Sequence, residues 1–138
     1  MKIVIDAYAW IEFFAGSEKG CKVKEMMENA DEVYTPATVL AEIARKYVRE
    51  GIEDRTVDSR LEMINSASNF VQVDPKLALE AAKCYSELAI KCRKSKLNTP
   101  SLFDAIVLAT ARLLKSKVVT GDAHFKNLSE TVWIGQTS

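Results

Sequence analysis

The chain has 138 residues, of which 48% are hydrophobic and 28% charged, with 19 basic side chains set against 19 acidic ones. That length builds one domain and buries about 68–70% of the surface that the unfolded chain exposes. The composition excludes a disordered protein, and a formal charge of zero excludes both a bulk polybasic nucleic-acid binder and an acidic tail.

In chain order, Lys2–Asp6 is an apolar β-branched run that reads as a buried strand. A short aromatic-rich helix follows over Tyr8–Ala15, and Gly16-Ser17 breaks it. Lys19–Asn29 carries Val23, Met26 and Met27 at helical spacing, and Glu32–Thr35 is a short strand ending at Pro36. Over Thr38–Glu50 the stripe Val39, Leu40, Ile43, Ala44 and Tyr47 predicts a helix, stopped by Gly51. Glu53–Ser68 predicts another, and Asn69–Val73 a third strand. Pro75–Lys94 is a long helix, Ser95–Pro100 a loop, and Ser101–Lys115 a further helix. Lys117–Thr120 and Thr131–Ile134 complete five strands. Strands alternating with helices specify an α/β fold with a mainly parallel sheet.

No run approaches the ~20 apolar residues that span a bilayer, and the N-terminus lacks a signal-peptide pattern, so a cytoplasmic protein with no membrane partner is expected. Three cysteines stand far apart without a CxxC motif, and on one helix Cys84 and Cys92 would lie ~12 Å apart, too far for a disulfide. They read as reduced packing residues. Residues 1–75 hold 9 basic and 14 acidic side chains, whereas residues 76–138 hold 10 and 5. Scatter among surface charges accounts for this as well as a directed field does.

Open parallel sheets place ligands at the carboxyl ends of their strands. Asp6 and Asp122 occupy two such ends, while Glu42 and Asp104 lie in the first turns of helices that can frame the same edge. Singly, each has an ordinary reading. Asp6 caps a helix, Glu42 is a solvated charge, Asp104 closes a capping box with Ser101, and Asp122 serves a turn. Together they imply more. Two carboxylates ~4 Å apart repel by roughly 4 kcal/mol at an effective dielectric of 20, so a converging set requires protons or cations. Oxygen ligands without His or Cys select Mg²⁺ or Mn²⁺, which bind phosphate oxygens and activate water. The implied chemistry is phosphodiester hydrolysis.

Four pieces carry a family resemblance. They are Ile3-Val4-Ile5-Asp6, the Glu42 helix, Asp104 through Ala111, and Val119-Thr120-Gly121-Asp122-Ala123-His124-Phe125. In order and separation this set resembles PIN-domain ribonucleases, and among them the VapC-type toxins of toxin–antitoxin modules. The resemblance implies a single PIN domain over residues 1–138, with a five-stranded, mainly parallel sheet flanked by helices. It also implies a Mg²⁺- or Mn²⁺-dependent endoribonuclease that leaves a 5′-phosphate and a 3′-hydroxyl. By match, Asp6, Glu42, Asp104 and Asp122 take the acidic positions and Thr120 the supporting hydroxyl. Asp6 and Asp104 would bind the metal directly, Asp122 would hold a second ion or a coordinated water, and Glu42 would orient the attacking water. The implied partners are RNA, a cognate antitoxin and a second copy of the chain.

Two positions depart from the family pattern. Tyr8 stands where many relatives carry a small hydroxyl or amide residue, and His124 stands where a further acid is common. His124 is expected to pack or hydrogen-bond behind the site rather than to move a proton. Lys91, Arg93, Lys94 and Lys96 suit either a helix C-terminus or phosphate contacts with RNA. Between Tyr8 and Phe14 there are more large apolar side chains than one helix face buries; the core takes Tyr8 or Trp10 with Ile11 and Phe14, and the excess is expected on a partner surface through Trp10 or Phe13. Two other readings compete. One is a non-cleaving RNA-binding or interaction module on the same scaffold. The other is a phosphoacceptor receiver domain, disfavoured because Asp6 has no acidic neighbour.

Overall fold

A computed structural model describes residues 1–136; Thr137 and Ser138, the end of the expected 1–138 domain, lie outside the described residues. Five strands form one all-parallel sheet in the order β3-β2-β1-β4-β5. They are β1 (Lys2–Ile5), β2 (Glu32–Pro36), β3 (Asn69–Val71), β4 (Lys117–Thr120) and β5 (Thr131–Trp133). The helices are α1 (Ala7–Ala15), α2 (Glu18–Asn29), α3 (Ala37–Arg49), α4 (Asp54–Ala67), α5 (Pro75–Lys94) and α6 (Leu102–Leu113). The fold is therefore α/β with a wholly rather than mainly parallel sheet.

Central β1 shows why the sheet sits inside. Ile3, Val4 and Ile5 are all fully buried, as a strand covered on both faces requires. Helix α6 is its counterpart, with every residue from Ala105 to Ala111 buried, so it runs through the core rather than over it. Helix boundaries follow local chemistry. Asp6, Ser17, Asp74 and Ser101 each accept a backbone N–H at an N-cap. Gly16 ends α1 in the left-handed region at φ 65°, where a side chain would be strained.

The aromatic surplus of α1 resolves differently from expectation. Trp10 is fully buried and its indole N–H donates to Thr35 Oγ1 at 3.1 Å. Its ring packs edge-on against Phe13 and stacked against Phe14, with centroids 5.4 and 5.9 Å away. Trp10 is thus a core anchor between α1 and β2, which corrects its expected place on a partner surface. Phe13 and Phe14 are half-buried against the same core. All three cysteines are free, with Cys84 and Cys92 buried. No helix among the described residues is long and apolar enough to cross a membrane.

Candidate active site

The strand order creates the site. From β1 the chain moves to β2 and β3 on one side, then returns to β4 and β5 on the other. Where the order reverses, between β1 and β4, the connections diverge and leave a crevice at the carboxyl ends. Ile5 is paired with Val119, so the next residues, Asp6 and Thr120, meet there.

The ordinary readings of these acids are realised, and they are what fixes the geometry. Asp6 caps α1 through Oδ1, which accepts the Ala9 N–H at 2.9 Å, while its Oδ2 accepts the Thr120 hydroxyl. The Thr120 oxygen in turn accepts the Asp122 N–H at 3.0 Å. Asp122 caps a short 3₁₀ turn over Ala123–Phe125, its Oδ1 accepting the His124 N–H at 2.9 Å. Asp104 closes the capping box of α6: its Oδ2 accepts the Ser101 N–H at 2.9 Å and its own N–H donates to Ser101 Oγ at 3.1 Å. Each of these three carboxylates is therefore held by backbone donors before any ligand arrives.

The charge of Asp122 acts on the other three acids. Burial pushes the Asp6 carboxyl up to about 7, against its hydrogen bonds from Thr120 and Ala9, and the charges of Asp122 and Glu42 add to the rise. Burial likewise raises Glu42 to about 7, helped by Asp104 and Asp122 and opposed by Arg45. Asp104 is raised by burial first, against its Ser101 bonds, with Asp122 adding and His124 opposing. Asp6, Glu42, Asp104 and Asp122 thus share one acidic cleft. Fixed oxygens that cannot all carry charge unaided are the donor set of a hard divalent cation.

His124 enters this cleft and does not pack behind it. Its Nδ1 lies 3.2 Å from Asp104 Oδ2 and 3.1 Å from Asp122 Oδ1. The atom is buried and makes no hydrogen bond. One ligand atom each from Asp104, Asp122 and His124 lies within 4.8 Å of the other two. An orphaned buried nitrogen facing two carboxylates fits a divalent cation, which these residues would hold.

Other side chains complete the surroundings. Glu42 lines a groove with Ala7, Ile11, Arg45, Arg49 and Phe103, beside the acids. Arg45, Lys46 and Arg49 follow Glu42 at three, four and seven residues, the spacing of one helix face; that periodicity was the available signal for this second basic patch. Of the basic residues expected to meet RNA, Lys91 is half-buried and donates to the His124 carbonyl at 3.3 Å, whereas Arg93, Lys94 and Lys96 are exposed. The Tyr8 ring lies over Gly121 so closely that a Cβ there would come within 2.4 Å of it. Its hydroxyl accepts from Lys19 Nζ at 2.9 Å.

The fold is an all-parallel α/β domain with an acidic cleft at its switch point. The chain belongs to the PIN domain family, whose match spans residues 3–130. No curated protein matches it by sequence. Among solved structures it is similar to a toxin–antitoxin complex from Klebsiella pneumoniae, with 20% identity, a TM-score of 0.66, and coverage of 97% of this chain and 98% of that one. VapBC2 from Rickettsia felis, bound to a DNA fragment from its promoter, aligns with a TM-score of 0.68 at 15% identity, covering 96% and 97%. VapC20 from Mycobacterium tuberculosis, described as a Sarcin-Ricin loop cleaving toxin, gives 0.65 at 19% identity, covering 89% and 92%.

Proposed function

We propose that this chain is a divalent-metal-dependent endoribonuclease, the toxin of a VapBC-type pair acting in the cytoplasm, with the PIN domain extending over residues 1–138. The observation that carries the reading is the placement of Asp6, Glu42, Asp104 and Asp122 around one crevice, where the charge of Asp122 raises the carboxyls of the other three. A bound Mg²⁺ or Mn²⁺ would neutralise these carboxylates, hold a phosphate oxygen and activate water. Asp6 and Asp104 are assigned as direct ligands and Asp122 as the holder of a second ion or a coordinated water. Thr120 positions both Asp6 and Asp122 through its one hydroxyl. Glu42 orients the attacking water. Arg45 and Arg49 on one flank, and Arg93, Lys94 and Lys96 on the α5 side, contact RNA phosphates.

The partners follow from the same reading. A cognate antitoxin inhibits by laying a segment along the groove beside Glu42 and placing a cation among the carboxylates. Two copies of the chain form a homodimer related by a two-fold axis. The test is incubation of the purified chain with bacterial RNA in Mn²⁺ or Mg²⁺. Cleavage that leaves 5′-phosphate ends, stops in EDTA and is lost in Asp104→Asn supports the assignment. RNA that is bound yet intact in saturating Mn²⁺ replaces it with a non-cleaving binding module.

A further inference from the structure

The chain has one histidine, His124, and its two ring nitrogens face chemically different surroundings. Nε2 lies 3.1 Å from the backbone carbonyl oxygen of Asn98. A carbonyl oxygen only accepts, so Nε2 carries the proton. In the neutral ring this leaves Nδ1 with a bare lone pair. That lone pair is buried 3.1–3.2 Å from carboxylate oxygens of Asp122 and Asp104, and Nδ1 has no hydrogen bond. Three electron-pair donors turned toward one another need a proton or a metal cation between them, and their mutual spacing suits the latter.

The support behind the ring is that of a ligating histidine. Metal-bound imidazoles commonly donate their second N–H to a carbonyl or carboxylate, which fixes tautomer and orientation. Asn98 supplies that carbonyl. The backbone of His124 is pinned as well, its N–H donating to Asp122 Oδ1 and its carbonyl accepting from Lys91 Nζ. Lys91, expected on sequence grounds to meet RNA, acts here as a strut from α5 to the turn that carries His124.

We propose that His124 Nδ1 is a protein ligand to the cation that Asp122 holds and Asp104 also faces, and that this mixed nitrogen–oxygen set favours Mn²⁺ and later first-row ions over Mg²⁺. The proposal rests on reading the cleft as a cation site and adds a ligand and a metal preference to it. One imidazole changes the selection because nitrogen donors suit transition-metal ions, while Mg²⁺ keeps to oxygen.

Because His124 is the sole histidine, any imidazole nitrogen coupled to bound Mn²⁺ in the tag-free full-length protein is its own. Electron spin-echo envelope modulation of the Mn²⁺-loaded protein is expected to show nitrogen-14 modulation. The modulation disappears in His124→Gln. Mn²⁺ affinity of that variant, measured by calorimetry, falls at least about 10-fold, and Mg²⁺ affinity falls by less. Mn²⁺ bound by the wild type without nitrogen modulation overturns the assignment of His124 and leaves the carboxylate site standing. Equal losses of Mn²⁺ and Mg²⁺ affinity in a folded variant overturn the preference. Failure of the wild type to take up Mn²⁺ removes both the ligand and the site. Should His124→Gln not fold, the wild-type spectrum decides the ligand, and competition between the two ions on the wild type decides the preference.

Discussion

Replacing Asp6 with Asn is predicted to stabilise the metal-free protein at alkaline pH while removing a ligand. Asp6 is 5% exposed, and folding moves its carboxyl from 3.8 to about 7. At 1.36 kcal/mol per unit, ionisation of this group opposes folding by up to about 4 kcal/mol above neutrality. Asn retains an oxygen for the Ala9 N–H cap but weakens the bond from Thr120, which offsets roughly 1–2 kcal/mol. The net gain at about pH 8 in EDTA is therefore about 2–3 kcal/mol, or roughly 6–10 °C in Tm. The sign follows from proton linkage. A carboxyl raised in the folded state binds its proton more tightly there, so stability falls as pH rises from about 4 to about 7 and is level outside that window. Glu42 acts in the same direction. Thermal unfolding followed by circular dichroism at about pH 5 and pH 8 should show the variant's advantage opening as pH rises. Saturating Mn²⁺ should restore the wild type and not the variant. A wild type equally or more stable at about pH 8 than at pH 5 in EDTA would refute the reasoning, as would an advantage that ignores pH.

Other substitutions test separate links. Asp104→Asn keeps an oxygen for the Ser101 N–H, so its melting temperature should stay close to wild type while RNA cleavage falls at least about 100-fold, a loss typical of removing charge stabilisation at a reacting centre. Changing Arg45 and Arg49 to Gln should lower the slope of log RNA affinity against log salt by about 1 for each phosphate that is no longer neutralised; an unchanged slope returns them to a solvated helix face. Trp10→Ala should cost about 3–5 kcal/mol in urea denaturation through the cavity it leaves. A loss below about 1 kcal/mol would contradict the core position of Trp10.

Much of this site is legible in the sequence because its residues sit at transitions that local chemistry marks. Asp6 and Thr120 end β-branched runs, and Ser101 with Asp104 spells a capping box, so strand ends and a helix start can be placed without coordinates. Five strands and six helices follow from the same signals, with β3 ending at Val71, two residues short of the expected Val73, before Asp74 caps α5. What escaped depends on direction rather than position. Trp10 lies in an aromatic cluster that overfills one helix face. Only the fold reveals that its indole reaches across to Thr35 and that Phe13 and Phe14 pack on its ring. His124 follows Asp122 by two residues, and the 3₁₀ turn between them swings the imidazole into the cleft. A turn of three residues leaves no periodicity to read.

Calorimetric titration of Mn²⁺ into the wild type, Asp6→Asn and Asp104→Asn at about pH 8 tests the central claim that these carboxylates form one cation site. The wild type should bind saturably at millimolar concentration or tighter, and each folded variant should lose at least about 10-fold in affinity. A wild type that takes up no Mn²⁺ at millimolar concentration, or variants that bind as the wild type does, would contradict it.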